Sequence, residues 1–418
     1  MEKHIAFIEA STSGAGAVTN RIAKEMGCYV TLFTRGPESY KPDVLKNVDQ
    51  VIVCETNDAG VLAEKVKEVS NNRRIDGITT TADFYVPQAS KAAQEMGLPS
   101  LTYEAASEVR NKYKMRLNLQ KFCPELNPPF RLVETFEEAL GTAKEWGYPF
   151  IAKPQDGNDS LDVKLIKTES ELADYMRLSK TWDTNAAGQP FAKGVLLEGY
   201  IDGLLDNGRE PSIETMQPKG GKLQLIGTTQ KVLAGQDRGH FAELGSCFSE
   251  RIGQTDVMFE AVSKALTRLD IDCGVIHTEL RFQNGRPKIL EINPRLIGDK
   301  AGSHVIELAL GRSPVRSLIE IAFGEAEPWE KGFDKGAAIL GISMRRPGRF
   351  LGLENMDELK QLPGVVYVEM NAEVGGHFGL PSSNRDVLAQ VITKADTPDE
   401  ALSLAKNAVE RARIITGD

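Results

Sequence analysis

Strands and helices alternate through the first hundred residues, and this alternation restricts the fold more than any other feature. Four apolar segments are predicted strands: HIAFIEA, CYVTLFTR, VDQVIVCE and IDGITTT. Helical segments lie between or after them, from about Ala17 to Met26, from about Ala59 to Ser70, and from Asp83 to a stop at Gly97. Strands separated by helices are typical of a parallel sheet with helices on its faces. The sequence therefore predicts an N-terminal α/β domain.

The segment STSGAG, directly after the first strand, invites comparison with a dinucleotide-binding loop. Such loops use several glycines so that the backbone and the first helical amides can approach phosphates. Only Gly14 and Gly16 are present, and no third glycine follows at the required spacing. We interpret the segment as a tight strand-to-helix turn. A nicotinamide-dependent dehydrogenase would rest on this segment alone and is the weakest alternative.

The rest of the chain must form further domains, because 418 residues exceed what one hydrophobic core supports. PELNPPF (124–130) is a predicted linker, and Thr135 with Glu138 forms a capping-box signature for the helix that follows. Strands are predicted at YPFIAKP, VKLI, GVLLEGYIDG, AAILGISM and VVYVEM. We predict an N-terminal α/β domain, a lid, a central α+β unit and a C-terminal α+β domain, with boundaries 1–110, 111–200, 201–330 and 331–418.

Composition excludes several broad classes. The formal net charge of −9 lacks the basic footprint of a nucleic-acid-binding protein. No stretch approaches the length of apolar residues that spans a membrane, and MEKHIAFIEAS is a predicted strand rather than a signal peptide. The five cysteines are scattered and form no CxxC pair, which argues against a disulfide framework or a zinc site. We expect a cytoplasmic protein that binds neither nucleic acid nor membrane.

The stretch HTELRFQNGRPKILEINPRLIGD is predicted to form a β-hairpin with a polar face. Side chains alternate along a strand, so His277, Glu279 and Arg281 share one face of the first strand. The return strand presents Glu291 and Asn293 in the same way. The apolar side chains of the two strands, Ile276, Thr278, Leu280, Phe282, Leu290 and Ile292, take the opposite face.

The loop of this hairpin decides which residues face each other. A three-residue loop over 284–286 places Glu279 directly across from Glu291 and puts both apolar sets, Leu290 and Ile292 included, on one buried face. Like charges in that position repel, and a cation between them removes the repulsion. The sequence therefore predicts a pair of opposed carboxylates that hold a cation.

The chemistry of this polar set favours a hard divalent ion with phosphates. Mg²⁺ in proteins takes one or two carboxylates together with substrate phosphates, and the amide oxygen of Asn293 adds a neutral ligand. Arg295 can fork onto phosphoryl or carboxylate oxygens. The alternative is a solvated hairpin face with mixed charges, and the hairpin alone does not decide between them. Lys153 at the end of the apolar strand IAKP, Lys112 in RNKYKMR and Glu198 in LLEGYI supply the other charges that a nucleotide site needs.

This ordered set resembles the ATP-grasp superfamily over roughly residues 75–300, and within it the dipeptide-forming L-amino-acid ligases. The resemblance lies in DGITTTADFYVPQASKAAQEMGLPS, RNKYKMR, PFIAKP, VLLEGYIDG, GHFAELG and ILEINPRLIGD, and the final 80 residues resemble the C-terminal domain of that branch. It implies an α/β and α+β multidomain chain with the ATP-grasp fold: an N-terminal parallel domain, a mobile lid subdomain, a central subdomain and a C-terminal α+β domain. The lid loop QDGNDSLD is poorer in glycine and serine than is usual in this family.

The resemblance also implies roles for individual residues. ATP would contact the phosphate-binding lysines, the lid loop, the adenine hinge and a ribose-binding acid: Lys112, Lys153, Ser160, Glu198, Gly199, Tyr200, Ile201 and Glu210. Two Mg²⁺ ions, or Mn²⁺ in their place, would be held by Glu279, Glu291 and Asn293. Arg295 would be the catalytic residue that stabilises the transferred phosphoryl group. The amino-acid substrates would be bound by Asp83, His240, Glu243, Arg295, Gly298 and Asp299.

The reaction that this branch implies joins two amino acids through an aminoacyl phosphate, with release of ADP and phosphate. A lid over about 115–195 would exclude water, and His240 or Glu243 would accept the proton of the acceptor amine, unless the histidine is structural. Two alternatives stay open: an ATP-grasp carboxylate–amine or carboxylate–thiol ligase with another acceptor, and a non-catalytic ATP-binding module. The identity of the amino acids is undetermined, and so is the oligomeric state, with a homodimer through the first domain as one candidate.

Overall fold

The N-terminal part of the chain folds as a four-stranded parallel sheet, as predicted. The computed structural model describes residues 2–12 and 14–417. The strand order is β3-β2-β1-β4, and Ile5 pairs with Val30 on one side and with Gly77 on the other. The elements are β1 (His4–Ile8), α1 (Gly14–Glu25), β2 (Tyr29–Thr34), α2 (Pro42–Leu45), β3 (Gln50–Val53), α3 (Ala59–Asn72), β4 (Gly77–Thr79) and α4 (Val86–Glu95).

Alternation along the first strand explains why helices cover both faces of this sheet. Ile5 and Phe7 belong to the same buried cluster as Ile22 of α1. Ala6 and Ile8 point the other way and belong to a second cluster with Leu62 of α3. STSGAG connects β1 to α1 as a strand-to-helix turn in its described residues, and Ser13 lies outside them.

A smaller antiparallel sheet forms the lid. Its strand order is β5-β8-β6-β7, and α7 and α8 pack on it around Phe150 and Leu172. The capping box predicted for Thr135 and Glu138 is confirmed at the start of α7. The elements are α5 (Tyr103–Arg110), α6 (Lys112–Phe122), β5 (Phe130–Val133), α7 (Phe136–Trp146), β6 (Phe150–Pro154), β7 (Lys164–Ile166), α8 (Glu169–Ser179) and β8 (Val195–Gly199).

The central and C-terminal parts share one eight-stranded sheet, with the order β13-β12-β9-β10-β11-β14-β18-β16. The central elements are β9 (Glu210–Gln217), β10 (Gln224–Ala234), β11 (Ala242–Ser249), α9 (Thr255–Arg268), β12 (Gly274–Gln283), β13 (Arg286–Asn293), α10 (Ile306–Leu310) and α11 (Pro314–Ala322). The C-terminal elements are β14 (Gly336–Ser343), β15 (Gly348–Leu353), α12 (Met356–Lys360), β16 (Val365–Met370), β17 (His377–Phe378), β18 (Val387–Ala395), α13 (Pro398–Arg411) and β19 (Ile414–Gly417).

Antiparallel pairing between β11 and β14 makes this sheet continuous, since Gly245 faces Leu340 and Phe248 faces Ala337. Three C-terminal strands therefore extend the central sheet, and a separate three-stranded sheet, β17-β15-β19, packs beyond them. We keep the four-part division at 110, 200 and 330 as a proposal. Among residues 2–12 and 14–417, no helix combines the length and the apolar character needed to cross a bilayer.

Arg116 on α6 ties the lid to the hairpin from a fully buried position. Its Nε donates to Glu198 Oε1 at 2.7 Å, and its Nη1 and Nη2 donate to the carbonyls of Ile289 and Leu290, each at 2.7 Å. It also donates to the side chain of Asn127 at 3.2 Å. The prediction of a linker over 124–130 is therefore wrong in part: the segment is tied to α6, and its last residue begins β5.

We predict that Arg116→Met lowers the free energy of unfolding by about 3–5 kcal/mol, because it removes one of the two cations beside the buried Glu198 carboxylate and leaves two carbonyls without their donor. Arg131→Met is the control, since Arg131 pairs with Glu145 at 2.8 Å at the surface, and should cost less than about 1 kcal/mol. Urea unfolding followed by circular dichroism measures both. Equal losses in the two variants would contradict the role given to Arg116.

Candidate active site

A cavity of about 390 Å³ lies where the lid, the hairpin and the C-terminal strands meet. Its walls come from β6 and the loop after it, from the β8–β9 connection, from the polar face of β12 and β13, and from β18. Sequence-predicted residues line it throughout: Asp83, Lys112, Lys153, Ser160, Glu198, Gly199, Tyr200, Ile201, Glu210, Glu243, Glu279, Glu291, Asn293, Arg295, Gly298 and Asp299.

His240 is the one predicted site residue that does not line this cavity. Its Nε2 lies 3.4 Å from Lys164 Nζ on β7. Burial, together with the charges of Lys164 and Arg238, lowers the pKa of His240 below its ordinary value. The ring therefore packs against the lid.

The hairpin brings Glu279 directly opposite Glu291, as predicted, but by a different route. The prediction of a three-residue loop is wrong: the strands end at Gln283 and Arg286, and only Asn284 and Gly285 lie between them. Both have positive φ, 52° and 72°, as a tight hairpin turn of Asn-Gly requires. A register shift between Glu279 and Leu280 then restores the opposed carboxylates.

This register shift also moves Leu290 out of the predicted apolar face. Leu280 pairs with Ile289 instead of Leu290, and Ile289 is fully buried. Leu290 lines the cavity. A bulge adds one residue to one strand and so re-aims a side chain. The prediction that Leu290 lies in the core is therefore wrong.

Glu279 is neutralised by Lys231, which the sequence patterns did not indicate. Lys231 on β10 lies 2.6 Å from Glu279 and 3.3 Å from Glu243, and its side chain is 5% exposed. His277 Nε2 lies 3.2 Å from Glu279 and its Nδ1 lies 2.9 Å from Glu214. Burial alone would raise the pKa of Glu279, but the Lys231 charge and the His277 hydrogen bond hold it well below the ordinary value.

Glu291 is neutralised from the other side, by Lys112 at the start of α6. Lys112 Nζ lies 2.8 Å from Glu291 Oε1 and donates to the carbonyl of Gly157 in the lid loop at 2.9 Å. Asn293, two residues along β13, is 3% exposed and lines the same cavity. The two opposed acids thus have one lysine each, from separate elements.

The donor set of this hairpin suits a divalent ion only if a nucleotide completes it. No group of three histidine, cysteine, aspartate or glutamate side chains converges on a metal position among the described residues. Two carboxylates and one amide oxygen remain, and Mg²⁺ accepts such a set when substrate phosphates supply the other ligands. The residues therefore fit a nucleotide-associated Mg²⁺ and do not fit a protein-only metal cage.

The hinge at the end of β8 carries a carboxylate, Glu198, that is already paired with cations. Glu198 pairs with Arg116 at 2.7 Å and with Lys153 at 2.8 Å, and all three side chains are nearly or fully buried. Burial alone would raise the pKa of Glu198, but the two cations lower it to about 2. Burial lowers the pKa of Lys153. While these two ion pairs persist, a contact of Glu198 with a ligand uses its backbone.

An apolar slot follows the hinge. Ile151, Leu233 and Leu290 line the cavity here, together with the rings of Tyr200 and Phe241, which lie 6.3 Å apart. Arg281 lies over both rings, and it pairs with Glu210 at 2.6 Å and donates to the Ile201 carbonyl at 2.9 Å. A flat aromatic ligand can be held between such side chains.

Arg295 is held by Asp83 from the N-terminal domain. Its Nε lies 3.3 Å from Asp83 Oδ1, and Arg110 Nε lies 3.3 Å from Asp83 Oδ2. Burial would raise the pKa of Asp83, but the charges of Arg110 and Arg295 lower it. Asp83 therefore lies between two guanidinium groups, and its ion pair with Arg295 holds that side chain in position.

The C-terminal strands supply a wall that the sequence patterns did not resolve into residues. It is formed by Asn371, Asn384, Arg385, Val387 and Gln390. The Asn384 side chain accepts from the backbone of Glu243 at 2.7 Å. No local cue in the sequence pointed to the residues of this wall.

Lys231, by contrast, had a local cue in the sequence. It is a lysine within the strand TTQKVLA, as Lys153 is within IAKP.

Three family models match the chain. Residues 21–100 match the ATP-grasp N-terminal domain, residues 146–304 match the ATP-grasp domain, and residues 342–417 match the L-amino acid ligase C-terminal domain 2. The class that these matches and the cavity define is an ATP-dependent carboxylate–amine ligase. The chain belongs to the ATP-grasp superfamily, and its C-terminal region is of the L-amino acid ligase type. The resemblance and the fold class expected from the sequence are confirmed.

Solved structures share this fold over nearly the whole chain. An L-amino acid ligase from Bacillus licheniformis superposes with a TM-score of 0.79 at 21% identity, covering 100% of this chain and 99% of that chain. N5-carboxyaminoimidazole synthetase from Staphylococcus aureus, complexed with ADP, gives a TM-score of 0.75 at 17% identity, covering 98% of each chain. Alanine–anticapsin ligase from Bacillus amyloliquefaciens is 23% identical over 57% of this chain and 52% of that enzyme. The alignment thus spans about half of that curated relative.

We predict that Glu198 makes stability depend on acid pH. A carboxyl whose pKa falls from 4.5 unfolded to about 2 folded stabilises the protein above pH 4.5, by about 3 kcal/mol. That contribution is lost as the pH falls from 4.5 towards 2. The difference in unfolding free energy between wild type and Glu198→Gln should therefore shrink between pH 6 and about 3, as urea unfolding will show. Glu260→Gln on the exposed side of α9 is the control. A difference between wild type and Glu198→Gln that stays constant over this pH range would contradict the pairing.

Proposed function

We propose that this protein is an L-amino-acid ligase that joins two amino acids into a dipeptide at the expense of ATP. The observation that carries the proposal is the opposed pair Glu279 and Glu291, which meets Arg295 in a cavity walled by strands of the L-amino acid ligase type. In this proposal, the nucleotide and the amino acids would occupy adjacent ends of one cavity.

ATP would lie between the lid and the hairpin. Its adenine would enter the apolar slot beside Tyr200 and Leu290, with backbone groups of 198–201 as hydrogen-bond partners and Glu210 near the ribose. Its phosphates would approach Lys112 and Lys153 and the lid loop that holds Ser160. Arrival of phosphate oxygens gives both lysines a second anion to neutralise, which offsets the cost of separating them from Glu291 and Glu198.

Glu279, Glu291 and Asn293 would hold Mg²⁺ together with the phosphates. The ion would supply positive charge where negative charge accumulates during phosphoryl transfer. Lys231 and Lys112 now occupy the carboxylates that would bind it. The lysines would therefore turn towards phosphate or substrate oxygens as the nucleotide enters.

The first chemical step transfers the γ-phosphoryl group to the carboxylate of one amino acid. A carboxylate oxygen forms a bond to the γ-phosphorus, the bond to the β–γ bridging oxygen breaks, and ADP leaves. The step brings an anion to an anion, so positive charge from Lys153 and Arg295 lowers the barrier. Asp83, which also pairs with Arg110, holds the Arg295 guanidinium in place for this task.

The second step forms the peptide bond. The amine of the other amino acid attacks the carbonyl carbon, the carbon–oxygen bond to the phosphoryl group breaks, and phosphate leaves. The amine must lose its proton, and Glu243 is the better candidate for the base because it lines the cavity whereas His240 does not. Burial raises the pKa of Glu243 above its ordinary value, which suits a proton acceptor.

A second candidate function is an ATP-grasp ligase with a different acceptor. The ADP-bound synthetase from Staphylococcus aureus favours it, since its chain has the same fold over 98% of its length. The two functions share the nucleotide end of the cavity and differ at the wall formed by β18. The closing experiments therefore vary the acceptor.

We predict that Glu291→Ala and Arg295→Ala each reduce amino-acid-dependent phosphate release at least 100-fold, because each removes a charge that acts on the transferred phosphoryl group. The measurement is a phosphate-release matrix over all amino-acid pairs, with mass spectra of the products. Glu260→Ala and Arg268→Ala, both on the exposed side of α9, are the matched controls and should retain wild-type rates. Near-normal turnover in Glu291→Ala or Arg295→Ala refutes the assignment, and release with a non-amino-acid acceptor alone favours the second candidate.

We predict that Glu243→Gln slows peptide-bond formation about 100-fold or more, because the amide cannot accept a proton. Wild-type turnover should rise with pH through the raised pKa of Glu243, and the variant should lose this rise. Stopped assays of ADP and dipeptide formation, run from pH 5 to 9, separate the two chemical steps. An unchanged pH profile in the variant would show that Glu243 is not the base.

A further inference from the structure

The carboxylates that line the cavity are paired with cations in all but one case among the described residues. The pairs, each within 3.5 Å, are Asp83 with Arg110 and Arg295, Asp159 with Arg385, Glu198 with Arg116 and Lys153, Glu210 with Arg281, Glu243 and Glu279 with Lys231, and Glu291 with Lys112. Asp299 lines the same cavity and makes no ion pair with a described lysine, arginine or histidine. Within the described part of the chain, it is the one uncompensated negative charge in the wall.

Asp299 is nevertheless held firmly. Gln390 on β18 donates its amide to Asp299 Oδ2. Lys300 donates to the Gln390 Oε1 at 3.1 Å, which fixes the amide with its NH₂ towards Asp299. Lys300 Nζ lies 2.5 Å from Glu369 Oε2 on β16. This ion pair balances the charge of Lys300, so Lys300 does not neutralise Asp299. The neutral amide of Gln390 therefore orients the Asp299 carboxylate without balancing its negative charge, which can pair with a cationic ligand.

The backbone of Asp299 is fixed as well. Its φ is 57°, in the left-handed region, and a Cβ on Gly14 would lie 2.1 Å from the Asp299 carbonyl oxygen. The N-terminal turn at Gly14 thus packs directly against the turn that carries Asp299. Gly298 and Asp299 are both exposed, and a Cβ on Gly298 would meet no atom within 4 Å, so the cavity wall is open to solvent at this turn.

We propose that Asp299 binds the α-ammonium group of the amino acid whose carboxylate is activated. An unpaired, oriented carboxylate at an open part of the cavity is the complement of an ammonium ion. The inference rests on the proposed ligase function and adds the subsite that recognises an α-amino acid rather than a carboxylic acid in general.

The reaction itself decides which of the two amino groups fits this subsite. The acceptor amine has to lose its proton to attack, and a carboxylate that binds the ammonium ion stabilises the protonated form. The amino group of the acyl donor takes no part in bond formation and keeps its proton throughout. Arg295, four residues before Asp299, lines the same cavity for the donor carboxylate. The turn formed by residues 295–299 would thereby contact both the carboxylate and the α-ammonium group of the donor.

Asp299→Asn tests the subsite, because it removes the charge and keeps a side chain that tolerates positive φ. We expect the KM for the donor amino acid to rise about 10- to 100-fold, the loss expected for one charge-assisted hydrogen bond, with the KM for ATP unchanged. Asp270→Asn is the matched control: Asp270 also has a positive φ, 55°, and lies outside the cavity. It should behave as wild type. Gln390→Leu, which removes the orienting donor, should raise the KM for the donor by a smaller factor.

A second measurement separates the α-ammonium group from other sources of the same charge. L-lactate has a hydroxyl in place of the amine, so any amide product that contains lactate has lactate as its acyl donor. It is compared with L-alanine against one acceptor, with amide and ester products resolved by mass. Wild type should prefer alanine over lactate, and Asp299→Asn should lose most of that preference. A loss confined to lysine as donor would assign Asp299 to a side-chain ammonium and overturn the proposal, as would an unchanged alanine-to-lactate ratio.

Failure of the ligase function is distinguishable from failure of the subsite. If wild type releases no phosphate with any amino-acid pair, the proposed function is wrong, and the subsite is then tested by binding alone. In that case the Tm of wild type with MgADP should rise on addition of L-alanine and not of L-lactate, and Asp299→Asn should lose the rise while Asp270→Asn keeps it. Equal shifts in all three proteins would overturn the subsite.

Discussion

Two acidic side chains facing each other across a hairpin are the constraint around which the site is built. At about 4 Å and an effective dielectric constant near 20, a pair of unit charges interacts by about 4 kcal/mol, so Glu279 and Glu291 need compensation. Lys231 from β10 and Lys112 from α6 provide it. Because Lys231 comes from the central sheet and Lys112 from the helix that leads to the lid, the charge balance couples these two parts of the chain at one point.

The same principle extends along the cavity. Glu198 lies between Arg116 and Lys153, and Asp83 lies between Arg110 and Arg295, so each of these two acids is balanced by two cations. Such pairing places cations in the cavity before any ligand arrives, in positions that need little reorganisation to stabilise negative charge. A site of this kind is prepared for polyanions although the whole protein carries a net charge of −9.

Local patterns in the sequence were sufficient for the N-terminal parallel sheet, the capping box at Thr135 and the opposition of Glu279 to Glu291. They failed where two local preferences competed. Asn284–Gly285 favours a two-residue turn, whereas alternation from Glu279 to Glu291 required one more residue, and the bulge that satisfies both could not be inferred from either signal alone. Leu290 was misplaced for that reason.

Long-range features were beyond such patterns. Lys231 meets Glu279, and Arg110 meets Asp83, only because of strand order and helix packing, which spacing along the chain does not encode. The path of the C-terminal strands is the clearest case: AAILGISM is predictable as a strand, but its pairing with β11 is not. The wall that contains Gln390 therefore had no signal in the sequence.

The continuous sheet from β13 to β16 carries two groups of cavity-lining residues at different positions along its width. The strands at one end, with the hairpin, carry the groups suited to phosphate, and β18, three strands from β10, carries Val387 and Gln390. Exchanging side chains on β18 leaves the hydrogen bonds of β12 and β13 untouched. Substitutions on β18 can therefore alter one wall of the cavity without disturbing the hairpin at the other end of the sheet.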